Sequence, residues 1–186
     1  MTEENSKKLY ERAIILNAIK FGEFTLSSGQ KSSYYFDGRL LSMDPFSSNL
    51  ITEIFIKKII EFNADAFGGP SVAAVPIIGA LTLKCHFENI DLSGFFVRSE
   101  QKKHGTNQQI EGLIKPGMNV AVFDDTLSTG DSLLNSIKAV EDYGCKVVLA
   151  LTILDRQQGA KEKLNDKNIP LFKLWEASMN GEIKIL

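Results

Sequence analysis

The chain has 186 residues, 44% hydrophobic and 24% charged, and a formal net charge of −2, the profile of one folded domain, spanning 1–186, with one sizeable core. So slight a charge offers no basic field to nucleic acid or to an anionic membrane, and the charged start "MTEENSKKLY" has no apolar segment of the signal-peptide kind. The longest apolar stretch, "VAAVPIIGALTL", is too short to span a bilayer, and Cys85 and Cys145 lie far apart in apolar surroundings, as buried reduced thiols do, so cytoplasm is the expected compartment.

Leu9, Ala13, Leu16 and Ile19 recur at helical spacing over 6–20, with Ser6 placed as N-cap. "FTLSSGQKSSYYFDGR" reads as two short strands around a Ser-Ser-Gly turn, an antiparallel hairpin. Pro45 then opens a helix to about Phe62 that puts Leu50, Ile54, Phe55 and Ile59 on one face. "ADAF" is a short strand ended by "GGP", and Val75 to Phe87 is a helix that tolerates Pro76 in its first turn. "LSGFFV" is a strand. "RSEQKKHGTNQQIEG" is polar and aperiodic, a long loop. "NVAVF" is a strand, and Ser132 to Tyr143 is a helix closed by Gly144. "KVVLALTIL" has no alternation, as a strand buried on both faces requires. "DRQQGA", a short helix and a last strand near "IPLFKL" follow. Strands alternating with helices from residue 45 onward predict an α/β fold, a parallel sheet flanked by helices.

The segment "VAVFDDTLSTGDSLL" concentrates the chemistry. A strand over Val120 to Phe123 delivers two acids, Asp124 and Asp125, to the carboxyl end of the sheet, where open α/β folds bind ligands. Beyond them Ser128, Thr129 and Ser132 supply hydroxyls, Gly130 lets the backbone approach closely, and a helix begins whose free amides suit a phosphate. Neither a Gly-Lys-Ser/Thr P-loop nor a G-x-G-x-x-G turn is present, which favours a single phosphate over a polyphosphate chain. Carboxylates accept from vicinal diols and bind Mg²⁺. Acids for a diol beside a cradle for one phosphate describe a ribose 5-phosphate. A turn and a helix cap would use the same two aspartates.

"VFDDTLSTGDS" resembles the phosphoribosyl-diphosphate motif of type I phosphoribosyltransferases, which does not choose the base. Three further segments resemble those of the orotate phosphoribosyltransferases within that family: the hairpin "FTLSSGQKSSYY", the loop "FFVRSEQKKHGTNQQIEG" and "ILDRQQGA". The four run collinearly from about residue 10 to 160. The resemblance implies the family fold with a small amino-terminal hood at about 20–40. It implies transfer of phosphoribosyl from 5-phosphoribosyl 1-diphosphate to orotate, giving orotidine 5′-monophosphate and diphosphate in pyrimidine (UMP) synthesis. Mg²⁺ is then carried by the substrate near Asp124 and Asp125, with no residue assigned as a direct ligand. The homodimer it implies shares the loop between subunits, and neither nucleic acid nor membrane is a partner.

Residue by residue, the resemblance assigns Lys102 and Asp125 to catalysis and Arg98, Lys103 and His104 to the diphosphate. Asp124, Asp125, Thr126, Leu127, Ser128, Thr129, Gly130, Asp131 and Ser132 receive the phosphoribosyl group, Ser128 also touching orotate. Arg156 receives orotate, which Tyr35 and Phe36 pack. On the residues alone, the loop is also a solvated basic segment, Arg156 a surface ion-pair partner, and Tyr34, Tyr35 and Phe36 core residues of a strand. The sequence departs from the family at Ser99, where a second lysine is usual, and a lost charge-assisted hydrogen bond is worth roughly 1.5–3 kcal/mol. Ser27 and Ala73 likewise stand where the best-known bacterial members have lysines. The rival functions are a phosphoribosyltransferase for another base and a non-catalytic regulator that senses the sugar diphosphate.

Overall fold

The computed structural model describes residues 2–25, 29, 31–99, 109–178 and 180–186. Helix α1 (Thr2–Ile15) leads into the hairpin β1 (Ile19–Thr25) and β2 (Lys31–Phe36), a two-stranded antiparallel sheet of its own. Then come a single turn of helix α2 (Gly38–Ser42), α3 (Pro45–Glu61), β3 (Ala66–Pro70), α4 (Val75–Glu88), β4 (Ser93–Val97) and β5 (Ile110–Gly112). The second half runs β6 (Asn119–Leu127), α5 (Asp131–Asp142), β7 (Lys146–Asp155), α6 (Ala160–Asp166), β8 (Leu171–Ala177) and β9 (Ile183–Ile185). Among the described residues the main sheet has seven strands in the order β5-β4-β3-β6-β7-β8-β9. β4, β3, β6, β7 and β8 are parallel, and β5 and β9 close the two edges antiparallel.

The alternation of strands and helices therefore predicts the sheet correctly, and the antiparallel edges are an addition. β5 and β9 are three residues each, too short to carry a period. Helix α3 forms as its sequence demands. Asp44 caps it by accepting from the Ser47 amide at 2.9 Å, Pro45 sits in the first turn, and Leu50, Ile54, Phe55 and Ile59 are all buried. α1, α3 and α4 bury their apolar faces on one side of the sheet, and α5 and α6 cover the other with Leu133, Ile137, Val140 and Leu164. Strand β7 is buried from Leu149 to Asp155, which accounts for its unbroken apolar run.

The first helix differs from expectation. It starts at Thr2, so Ser6 lies inside it, and Ile19 already belongs to β1. Ser6 has a tertiary role instead. Its fully buried hydroxyl donates to the Leu174 carbonyl at 3.4 Å and accepts from the Trp175 indole at 3.1 Å. Trp175, also fully buried, stacks edge-on with Tyr10 and Phe36, so one ring joins α1, the hairpin and β8. Ser6→Ala leaves the buried indole N–H with only the Ser6 carbonyl at 3.3 Å, and should lower stability by about 1–2 kcal/mol in urea titrations monitored by tryptophan fluorescence.

Candidate active site

The site is built at the carboxyl ends of β6 and β7. β6 continues past Phe123 to Leu127, so Asp124 and Asp125 are strand residues, not loop residues. Successive strand side chains face opposite ways, and the two acids meet different surroundings. Asp124 is 7% exposed and accepts from the Asp125 amide at 3.0 Å. Asp125 faces the turn after the hairpin, where a Cβ on Gly38 would come within 2.6 Å of its Oδ2. Glycine there lets α2 close over the carboxylate. Beside it Asp37 caps α2 and holds Arg39 by two bonds of 2.8 and 2.9 Å, so Arg39 is a cation in the field of Asp125.

Burial and the neighbouring charge of Asp125 push the Asp124 carboxyl up to about 7. Burial likewise raises Asp125, with Asp37 adding to the rise and Thr126 and Arg39 opposing it. The pair thus sits desolvated in the free protein, poised to accept hydrogen bonds or cationic charge.

Downstream, Ser128 is half-buried and Thr129 exposed. Gly130 takes a positive φ of 76° at the N-cap of α5 and packs so near Ala160 that a Cβ would lie 2.8 Å from that methyl group. No side chain caps α5, and Asp131 and Ser132 are exposed in its first turn. The Thr129 hydroxyl donates to Asp131, and Lys163 ties the Thr129 carbonyl to the Asp131 carboxylate, each bond at 2.8 Å. These bonds fix the loop at the N-terminus of α5, whose first amides carry the positive end of the helix dipole.

A cavity of about 830 Å³ lies next to this loop. Thr129 lines it, as do Arg156, Gln157 and Gln158 beyond β7, Lys31, Ser32 and Tyr34 of β2, and Ser178 and Asn180 beyond β8. The Arg156 guanidinium lies over the Tyr34 ring at 5.2 Å. Among the described residues its Nε is the buried side-chain nitrogen left without a hydrogen-bond partner. Tyr35 and Phe36, expected to pack the base, do not line the cavity. Tyr35 is 36% exposed against Phe24, and Phe36 is core against Trp175.

Arg98 stands at the end of β4, three strand positions from Arg156 in the sheet order. Its amide donates to the Gln109 carbonyl at 2.9 Å and its carbonyl accepts from the Gln109 side chain at 3.0 Å. Those bonds close the neck of the long loop. Arg98 and Ser99 line a smaller cavity of about 310 Å³ with Ser71 and Phe96. Lys102, Lys103 and His104, and Ser27 of the hairpin, lie outside the described residues. Among the described residues no group of three or more His, Cys, Asp or Glu side chains is set to hold a metal. No helix among them is long and apolar enough to cross a membrane.

Residues 47–180 match the Phosphoribosyl transferase domain family. The chain belongs to the phosphoribosyltransferase family. An orotate phosphoribosyltransferase from Aquifex aeolicus (strain VF5) is 39% identical over 155 residues, 83% of this chain and 85% of that protein. The crystal structure of orotate phosphoribosyltransferase from Aeropyrum pernix superposes with a TM-score of 0.75 at 32% identity, covering 89% of this chain and 91% of that one. The enzyme of that name from Mycobacterium tuberculosis, in complex with 5-phospho-alpha-D-ribosyl 1-diphosphate, gives 0.73 at 28% identity, over 91% and 94% of the two chains.

Within this phosphoribosyltransferase the residues missed from sequence are Tyr34, Lys31, Gly38, Asp37 and Arg39. Period two was the available signal for the first, since Tyr34 and Phe36 share one face of β2 and Tyr35 takes the other. Nothing local marks Gly38, whose partner is 87 residues away. The raised Asp124 carboxyl has a consequence for stability. The native state keeps a proton that the unfolded chain releases from about pH 3.8 upward, so this contribution is present below that pH and is lost as pH rises through about 7. Asp124→Asn removes the titration. Its melting temperature relative to the parent should therefore rise between pH 5 and pH 8, measured without ligand by calorimetry.

Proposed function

We propose that this protein transfers the phosphoribosyl group of 5-phospho-α-D-ribose 1-diphosphate to orotate, releasing diphosphate and forming orotidine 5′-monophosphate for pyrimidine synthesis. The observation that carries the base is Arg156: a buried donor without a protein partner, on the wall of a cavity that also reaches the Thr129 loop. A guanidinium suits an anionic pyrimidine better than a neutral purine. Relatives of that name, matched over most of their length, support the same reading.

In this reading the 5′-phosphate lies against Thr126 to Ser132 and the first amides of α5. The ribose hydroxyls donate to Asp124 and Asp125. The base lies beside Tyr34 and Arg156, with Ser128 at its edge. The bond from C1′ to the diphosphate oxygen breaks, its electrons leaving with the diphosphate, and N1 of orotate supplies the pair for the new bond to C1′. The ring passes through an oxocarbenium-like state, which the Asp125 carboxylate beneath it favours. Charge accumulates on the departing diphosphate, where Arg98, Lys102, Lys103 and His104 stabilise it, Lys102 as the catalytic lysine. A closed loop also keeps water from the sugar cation.

Mg²⁺ fits this donor set. Two adjacent desolvated carboxylates, both raised in pKa, offer hard oxygen atoms and gain from a nearby divalent charge. Asp124 and Asp125 would lie near such an ion carried in by the substrate, and its charge would offset that of the diphosphate.

The protein is a homodimer in which each loop serves the neighbouring site. Support for this comes from the likeness of the loop to that of the orotate phosphoribosyltransferases; its Arg98–Gln109 neck lies at the β5–β4 edge of the sheet. Free, buried Cys85 and Cys145 suit a reducing cytoplasm.

With Mg²⁺ and the sugar diphosphate, orotate should be consumed, followed by its absorbance, while adenine, hypoxanthine and uracil remain. Turnover of a purine alone would reassign the base, and binding of the sugar diphosphate with no turnover would indicate a sensor. Mixing tests the shared site. Lys102→Ala and Asp125→Asn should each be nearly inactive, but subunit exchange between them should restore activity at about a quarter of all sites, since a two-fold dimer concentrates both lesions in one site. No recovery, with exchange shown separately, would place the loop in its own subunit's site.

A further inference from the structure

Next to Arg156 in the chain is a fully buried acid, Asp155. A buried carboxylate beside an arginine ordinarily takes that arginine as its partner, because an unpaired buried charge is costly. Here it does not. One Asp155 oxygen accepts from the Lys173 ammonium at 2.6 Å, and the other accepts from the Gln157 amide at 2.8 Å. Lys173 is itself 12% exposed and also meets Glu176 at 3.0 Å. Burial works against its charge, but the bonds to Asp155 and Glu176 outweigh that and raise its pKa. The main-chain pairing explains why a lysine is needed. β7 and β8 set Asp155 directly opposite Glu176, two acids that repel unless a cation lies between them.

The carboxylate does not line the cavity, but it is next to its wall: Arg156 and Gln157, which line it, follow Asp155 in the chain, and the Gln157 amide is bonded to it. The Tyr34 phenol, raised first by burial, is next lowered by Arg156 and then raised by Asp155, so both charges act on the ring that Arg156 covers. The Arg156 amide is tied to the Leu127 carbonyl at 2.7 Å, and Gln157, at a positive φ of 54°, is held by Asp155. The backbone on both sides of the arginine is thus fixed while its Nε is left without a partner.

We propose that Lys173 is a positioning residue for base binding: by occupying Asp155 it keeps the Arg156 guanidinium free for the anionic pyrimidine. The inference rests on the reading that Arg156 binds orotate. Removing Lys173 leaves Asp155 without its cation, next in the chain to Arg156, whose Nε has no partner, and orotate must then compete with an internal carboxylate. Removing the acid as well abolishes the competitor. Asparagine at 155 can still accept from the Gln157 amide, so the turn survives.

Steady-state kinetics on the purified full chain separates the possibilities. Lys173→Met should raise the KM for orotate about tenfold or more, while the KM for the sugar diphosphate stays within about twofold. Asp155→Asn should leave the orotate KM near that of the parent. Asp155→Asn combined with Lys173→Met should recover it to within about threefold, a coupling that loss of packing does not produce. An unchanged orotate KM in Lys173→Met, or a double variant no better than the single, overturns the proposal. Should Lys173→Met be insoluble, the double variant decides: a parental orotate KM supports the proposal, and one raised about tenfold overturns it. Arg156→Ala is the control. If its orotate KM is unchanged, the base reading fails and takes this inference with it. If that KM rises while Lys173→Met is silent, only the inference fails.

Discussion

Burial of two adjacent carboxylates at the end of the central strand is the constraint on which the site depends. Asp124 is held at about 7 by desolvation and by its neighbour, which represents on the order of a few kcal/mol withheld from the free protein. In the proposed function this is recovered when a ligand binds. Gly38 brings a turn of helix over Asp125 without a side chain in the way. Arg39 is near enough to moderate the charge but is already engaged by Asp37. In the proposed reaction the acids are thus available to the ribose hydroxyls and to a cation carried by the substrate.

Around that anionic centre the sheet order distributes positive charge to two separate places. Arg98 ends β4, toward one edge, and Arg156 follows β7 on the other side of β6. The helix amides of α5 supply a third site of positive potential without a charged side chain. The proposed reaction, a sugar phosphate between a departing diphosphate and an incoming anionic base, calls for one negative centre and three positive ones. The match arises from topology. Parallel strands place all their carboxyl ends on one side, and neighbouring strands deliver different loops to a common rim.

Much of this was legible in the chain. The unbroken apolar run of β7, the proline-led α3 and the acids followed by hydroxyls each follow local rules of burial, capping and strand ends, and those rules operate at short range. Their failures share a cause. Ser6 looked like a cap because serine before an apolar period usually is one, yet Trp175, 169 positions away, claims its hydroxyl. The family resemblance offered Tyr35 and Phe36 as base contacts, while strand pleating sends one outward and Trp175 draws the other into the core. Asp125 lies under Gly38 only because the hairpin folds back over the sheet. Local sequence has no term for any of these contacts.

The wall of the larger cavity joins the two ends of the chain. Ser33 of the hairpin donates to the carbonyl of Asn180 at 3.1 Å, 147 positions later, and Trp175 seals α1 and Phe36 against β8. Helix α1 meets α3 early in synthesis, through Arg12 and Asp44, but the hairpin leaves the ribosome long before Trp175 and Asn180 exist. The cavity wall that they form together is therefore made of contacts between the two ends of the chain, the kind that close the longest loops.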